Sequence, residues 1–211
     1  MFEDRKDAGE KLAKALEKYK DKKVLVLAIP RGGVEVGFQV VKYLNADFSL
    51  LISRKLPFPD NPEAGFGAIA EDGSTFIFKD AASWLSEEAI DGIKKEQIEE
   101  IKRRVGILRQ GRPLPEISDR TVILIDDGLA MGSTMRASIM LCKKKNAKKI
   151  IVAVPVSGRK VAYEIGQMAD EVVILEKPLF FQAVAQVYRN WYDVSDDEVI
   201  KIIKKWEGNT V

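Results

Sequence analysis

Apolar residues in this chain follow two alternating rhythms, and that alternation limits the folds open to it. Val24-Leu-Val-Leu-Ala-Ile29 is an unbroken apolar run of the kind that forms a strand buried on both faces. Phe48 to Ser53, Thr121 to Ile125, Ile150 to Pro155 and Val172 to Leu175 read as further strands. Between them the period changes. Ala8, Gly9, Leu12, Ala13, Leu16 and Tyr19 recur at helical spacing, and helices are expected over about 34–44, 132–145 and 159–168. Ser86 to Gln110 is a long charged helix with Ile90, Ile93, Ile101, Val105 and Leu108 on one face, stopped by Gly111 and Pro113. Ser195-Asp-Asp-Glu198 is a capping box that opens a last helix to about Trp206. Four buried-looking strands separated by helices specify an α/β fold, a mostly parallel sheet with helices on both faces.

At 211 residues the chain is expected to form a single domain, 1–211. It has no histidine and one cysteine, Cys142. A Ser-His-Asp or Cys-His nucleophile, a histidine zinc site, an internal disulfide and a cysteine metal cluster are therefore all excluded. A lone thiol, placed within a helix and read as buried and inert, fits a reducing, cytoplasmic setting. Lys plus Arg is 34 against 32 Asp plus Glu, a net charge of +2. That balance argues against nucleic-acid binding by bulk electrostatics, and Lys143-Lys-Lys145 is read as a solvated helix end. No apolar run approaches the roughly 20 residues of a membrane span, and the charged first 20 residues do not read as a signal peptide.

Lys55 to Gly73 has a different texture. Pro57, Pro59, Pro62, Gly65, Gly67 and Gly73 mark it as a long irregular loop, flexible and functional, before a short strand at Thr75 to Phe78. Gly65-Phe-Gly67 nearly matches a dinucleotide fingerprint, but no strand leads into it.

In parallel α/β sheets ligands gather beyond the carboxyl ends of the strands. The first strand ends in Pro30-Arg31-Gly32-Gly33, where adjacent glycines let backbone amides approach an anion and Arg31 adds positive charge. The third ends in Asp126-Asp127-Gly128-Leu129-Ala130-Met131-Gly132-Ser133-Thr134. Paired carboxylates there can grip vicinal hydroxyls or a hydrated Mg²⁺, and the helix start behind them is an anion site. A sugar phosphate satisfies both halves.

Val122 to Thr134 resembles the signature of type I phosphoribosyltransferases: an apolar strand, two acids, a short turn, then Gly-x-Thr. Pro30 to Gly33 is similar to their pyrophosphate loop, the segment at about 55–73 to their flexible loop, and about 176–211 to the hood that receives the acceptor. Phe2 to Gly9, Arg54-Lys-Leu56, Asn61-Pro-Glu63 and Pro178 to Phe181 are similar to one subgroup of that family. The resemblance implies that Asp126 and Asp127 bind the ribose hydroxyls of phosphoribosyl pyrophosphate, and through them indirectly its Mg²⁺. It implies that Gly128 and the segment Ala130, Met131, Gly132, Ser133 and Thr134 hold the 5′-phosphate. Arg31, Gly32 and Gly33 would meet the pyrophosphate, with Lys55 as a second cation, and the peptide matching Arg31–Gly32 is often cis in the family. The acceptor would be a nucleobase-like molecule, with Phe180, Phe181, Tyr188, Trp191 and Tyr192 as stacking candidates and Glu63 or Glu71 as a base. A homodimer is compatible with the resemblance. So is a non-catalytic, nucleotide-sensing regulator, towards which one departure leans: Met131 stands where the family usually has Thr.

Overall fold

Successive side chains of a strand point to opposite faces, so an unbroken apolar run needs cover on both. The computed structural model, which describes residues 1–208, shows how this chain provides it. The first half runs α1 (Arg5–Ala15), β1 (Leu25–Ala28), α2 (Gly32–Leu44), β2 (Asp47–Leu50), β3 (Ser53–Phe58), β4 (Asn61–Ala70), β5 (Thr75–Ile77), α3 (Lys79–Ala82) and α4 (Glu87–Leu108). The second runs β6 (Thr121–Ile125), α5 (Ser133–Lys144), β7 (Lys149–Val156), α6 (Arg159–Gly166), β8 (Glu171–Glu176) and α7 (Asp196–Gly208).

The parallel strands lie in the order β2-β1-β6-β7-β8. Register places Val26 beside both Phe48 and Ile123, and Ile123 beside Ile151. Residue parity then sorts the core. Leu25, Leu27, Val122, Leu124 and Val152 pack with Met135, Ile139 and Leu141 of α5. Their sequence neighbours Val24, Val26, Ile123, Ile125 and Ile151 pack on the opposite face with Leu12 and Leu16 of the first helical segment and Val36 and Val40 of α2. The five strands of this sheet overlap the five apolar stretches read from the sequence, at Val24, Phe48, Thr121, Ile150 and Val172. Edge strand β8 is half-buried along its whole length, which weakens the all-apolar signal that marks inner strands.

Two stretches differ from expectation. Phe48 to Ser53 is not one strand: β2 ends at Leu50, and β3 begins at Ser53 in a second, antiparallel sheet of order β3-β4-β5. Lys55 to Gly73 is not an irregular loop, since β3 and β4 form a hairpin through it. Its glycines permit close approach instead of breaking structure. A Cβ on Gly67 would lie 2.2 Å from the Phe76 carbonyl oxygen, and one on Gly65 would lie 2.4 Å from Cγ of Lys55. Pro57 sits where the register shifts, a bulge position that tolerates proline. Gly73, at φ +85°, makes the expected tight turn into β5.

Phe66, Leu56 and Ile69 of the hairpin share a third core with Ile101 and Leu108 of α4 and Val199 and Ile203 of α7. The Arg109 guanidinium pairs with the Glu71 carboxylate, both nearly buried, and donates to the Leu50 carbonyl at 2.9 Å. Glu71 is thus a structural acid joining α4 to both sheets. The capping box forms as expected, with the Glu198 carboxylate accepting from the Ser195 amide at 2.8 Å. Cys142 is buried, and burial pushes its thiol up to about 12, which keeps it inert. No helix among the described residues is long and apolar enough to cross a membrane.

Candidate active site

Strand β6 ends at Ile125, and the next nine residues carry most of the polar groups singled out in the sequence. The segment is pinned rather than loose: the Leu129 amide donates to the Val156 carbonyl at 2.9 Å. Gly132, at φ +70°, then turns the chain into α5 with no side-chain cap on that helix. The first-turn amides of α5 are therefore available to an anion, aided by the positive end of the helix dipole. Gly128, Leu129, Ala130, Met131, Gly132, Ser133 and Thr134 line one wall of a cleft of 310 Å³. Lys55, Glu63, Ala64 and Gly65 of the hairpin form the facing wall, and Val184 of the tail closes one side. The Lys55 ammonium donates to the Glu63 carbonyl, which latches the hairpin tip.

Asp126 and Asp127 stand at the root of this loop. The Asp127 amide donates to Oδ1 of Asp126 at 2.8 Å, and Oδ2 of Asp127 accepts from Nε of Arg5 at 2.9 Å. Burial, and then the charge of Asp127, push the Asp126 carboxyl well above the ordinary carboxylate range. Asp127 is raised too, because burial outweighs the opposing charge of Arg5. The glycines at the start of α2 press directly on this pair. A Cβ on Gly32 would lie 1.8 Å from Oδ2 of Asp127, and one on Gly33 would lie 2.8 Å from the Ile125 carbonyl oxygen. Their first role here is to let the two strand ends meet. The non-proline cis peptide bond of this segment joins Pro30 and Arg31, one residue before the expected Arg31–Gly32. Arg31 itself is turned toward Asp196 at the start of α7, at 3.6 Å.

Two arginines at the site escaped the sequence reading. Arg5, only 4% exposed, holds Oδ2 of Asp127. Arg136 is 3% exposed and donates from one terminal nitrogen to the Met131 carbonyl at 2.5 Å, while the other pairs with Glu164. The rings of Phe76 and Phe78 lie 5.0 and 5.3 Å from its guanidinium carbon. Arg136 therefore fixes the backbone of the segment between β6 and α5 at Met131. An arginine four residues into a helix reads in sequence as a surface residue, so no local signal marks it. Replacing Arg136 by Met is expected to weaken anion binding at the start of α5 about tenfold, the worth of a charge-assisted hydrogen bond. Calorimetric titration with inorganic phosphate checks this.

The aromatics of the tail also sort themselves. Tyr188 is buried and donates its hydroxyl to the Asp127 carbonyl at 2.7 Å. Trp191 lies over Arg5, and Tyr192 donates to Glu35 at 2.7 Å. Phe180 is left 92% exposed. The last helix, α7, packs on α2 and α4 rather than over the cleft. Among the described residues no group of three or more Asp, Glu, His or Cys could hold a metal ion. The two carboxylates suit an ion that arrives with its ligand oxygens, not one caged by protein alone.

A family model for the phosphoribosyl transferase domain matches residues 3–189. Two Mycobacterium tuberculosis proteins, each named "Putative phosphoribosyl transferase", are 39% identical over 207 residues, covering 97% of this chain and 47% of theirs. The chain thus spans about half the length of the curated relatives it matches. The crystal structure of TT1426 from Thermus thermophilus is similar at a TM-score of 0.82 and 32% identity, covering 97% of this chain and 98% of that one. A hypothetical protein from Neisseria gonorrhoeae, crystallised with bound ppGpp, shares the fold at a TM-score of 0.51 and 13% identity over 96% of this chain and 92% of its own.

Proposed function

The chain belongs to the phosphoribosyl transferase family, and from that premise we propose that it transfers the 5-phosphoribosyl group of phosphoribosyl pyrophosphate to a nucleobase-like nitrogenous acceptor, releasing pyrophosphate in the cytoplasm. One observation carries the reading. A pair of desolvated carboxyls and an uncapped helix start share the end of β6, and a lysine lines the same cleft as that helix start. Hydroxyls of a ribose suit the first element, its 5′-phosphate the second and its pyrophosphate the third.

In this reading pyrophosphate departs from C1 of the ribose through an oxocarbenium-like transition state, and the acceptor nitrogen adds from the opposite face. Asp126 and Asp127 hold the 2′- and 3′-hydroxyls, so the ring is fixed while C1 moves. The amides of Ala130 to Thr134, with the hydroxyls of Ser133 and Thr134, hold the 5′-phosphate. Lys55 leaves the Glu63 carbonyl, and Arg31 leaves Asp196, to meet the pyrophosphate charge. Mg²⁺ carried in with the substrate would neutralise part of the same charge, and Asp126 and Asp127 would meet it only through the ribose hydroxyls. Bending of the hairpin tip over the cleft excludes water and suppresses hydrolysis. No step needs a histidine, in keeping with a chain that has none.

Met131 favours a second reading. It is 54% exposed in the phosphate-binding segment and brings no hydroxyl. A regulator that senses a nucleotide tolerates a weakened phosphate grip better than an enzyme does. The two readings separate on pyrophosphate release: a panel of nucleobases with labelled phosphoribosyl pyrophosphate yields it with one acceptor if the chain is an enzyme, and with none if it is a regulator. Absence of binding heat with millimolar phosphoribosyl pyrophosphate and Mg²⁺ would sink the substrate assignment in either reading. Met131→Thr is expected to tighten phosphoribosyl pyrophosphate binding roughly tenfold, through one added hydrogen bond to a charged phosphate. An exposed side chain can be exchanged without disturbing the core, so the melting temperature should hold while the titration shifts.

A further inference from the structure

The polar group most completely enclosed beside the acidic pair is a cation that the reaction sketched above does not use. Arg5 lies at the start of α1, 4% exposed, far in sequence from everything it touches. Its Nε donates to Oδ2 of Asp127 at 2.9 Å, and one terminal nitrogen donates to the Tyr192 carbonyl at 2.8 Å. That same nitrogen is 3.7 Å from Glu35. The indole of Trp191 lies 4.0 Å from the guanidinium carbon, with the rings of Tyr192 and Tyr188 at 5.5 and 6.0 Å. Tyr188 also holds the backbone of Asp127 through its carbonyl, and Phe2 pairs with Tyr188 in a short parallel bridge. Gly32 completes the enclosure, because its missing Cβ is what lets Arg5 and Asp127 meet under α2.

These contacts leave Asp127 little freedom. One oxygen is committed to Arg5, and the peptide groups on both sides of its Cα are hydrogen-bonded. We propose that Arg5 is the positioning residue that aims the Asp127 carboxylate at the 2′-hydroxyl of the bound sugar, and that Tyr188, Trp191 and Tyr192 stand at this site to hold Arg5 rather than to stack on the acceptor. The inference rests on the sugar-phosphate reading of the cleft. It assigns hydroxyl recognition to a residue outside the β6 loop and removes three aromatics from the acceptor platform. The guanidinium suits the task because its planar fork can bond a carboxylate and a carbonyl while its face lies on an indole; an ammonium cannot do all three.

The test measures discrimination between ribose 5-phosphate and 2-deoxyribose 5-phosphate, each titrated calorimetrically with Mg²⁺ into the full chain. Wild type should favour the ribose form by about tenfold, the worth of one hydrogen bond to a charged group. Arg5→Lys and Arg5→Met should bring the two affinities to within about twofold while leaving the deoxy form bound as in wild type. A merely structural role would weaken both sugars together. Should both variants melt out of the folded state, Trp191→Ala, which removes the stacking surface and leaves the Arg5–Asp127 bond, decides by the same ratio. A wild-type ratio retained in every folded variant overturns the inference alone. Failure of wild type to bind either sugar phosphate overturns the site reading, and the inference with it.

Discussion

Asp127→Asn and Asp126→Asn should both cut phosphoribosyl transfer by about tenfold to a hundredfold, yet move stability in opposite directions. The activity loss follows from removing a charge-assisted hydrogen bond, about 1.5–3 kcal/mol, at the ring that must stay fixed while C1 reacts. Retained transfer in Asp127→Asn would sink the role given to the acidic pair. Stability separates the two because only Asp127 has a cation. Arg5 is 4% exposed and pairs with Asp127, whose side chain is 14% exposed, so the substitution strands a buried guanidinium. Breaking such a pair costs on the order of 3–5 kcal/mol, and the nearby Glu35 recovers only part of it. At ~2–4 °C per kcal/mol for a chain of this size, the melting temperature should fall by roughly 5–10 °C.

Asp126 is the reverse case. Its carboxyl is raised above the unfolded value of 3.8 by burial and by Asp127, so the folded state holds the proton more tightly than the unfolded chain. That contribution is fully present below 3.8 and is lost as pH rises through the folded value, above which the folded state carries a buried charge beside Asp127. Asn removes the charge and can keep the carbonyl that accepts the Asp127 amide. Asp126→Asn should therefore raise the melting temperature near pH 8, by roughly 2–4 °C for each kcal/mol relieved, with a smaller gain near pH 4. A fall at pH 8 would show that the Asp126 charge is compensated in the folded state, by Arg5 or by the Asp127 amide.

Gly32→Ala is the second large effect, and helix propensity alone misjudges its sign. Gly32 opens α2, and alanine is the better helix former by ~1 kcal/mol. Here the new methyl would sit 1.8 Å from Oδ2 of Asp127, 2.5 Å from its Cγ and 2.9 Å from Nε of Arg5. Neither group can step aside without parting the ion pair. A net loss of about 2–4 kcal/mol is expected, overpacking and pair disruption together exceeding the propensity gain. Binding of phosphoribosyl pyrophosphate should fall at least tenfold. Gly106→Ala on the exposed face of α4, where a Cβ meets nothing within 4 Å, is the control. It should gain ~0.5–1 kcal/mol in denaturant unfolding and leave binding unchanged.

Helix and strand types were legible because their signals are local. Thr121 to Ile125 was bounded to the residue, and the Ser195–Glu198 box marked the start of α7 because both partners lie within one turn. The hairpin at Ser53 to Ala70 was not legible. Proline and glycine mean a break only when nothing crowds them, and the crowding at Gly65 and Gly67 comes from Lys55 and from β5. Glu71 read as a candidate base rather than a structural acid because its partner, Arg109, lies 38 residues away.

The same division holds at the site. Apolar period, two adjacent acids and a small-residue turn are properties of neighbours along the chain. By themselves they determined the parallel sheet, and they are the basis on which the end of β6 is proposed as the place for chemistry and a sugar phosphate as its ligand class. Tertiary structure alone decided which charges stand together. Arg5 reaches Asp127 across 122 residues, and Arg136 reaches Glu164 across 28, because strand order and helix packing bring those segments into contact. Burial then gives those contacts their weight. Two carboxyls adjacent in sequence are chemically alike until one of them loses water and the other gains a cation.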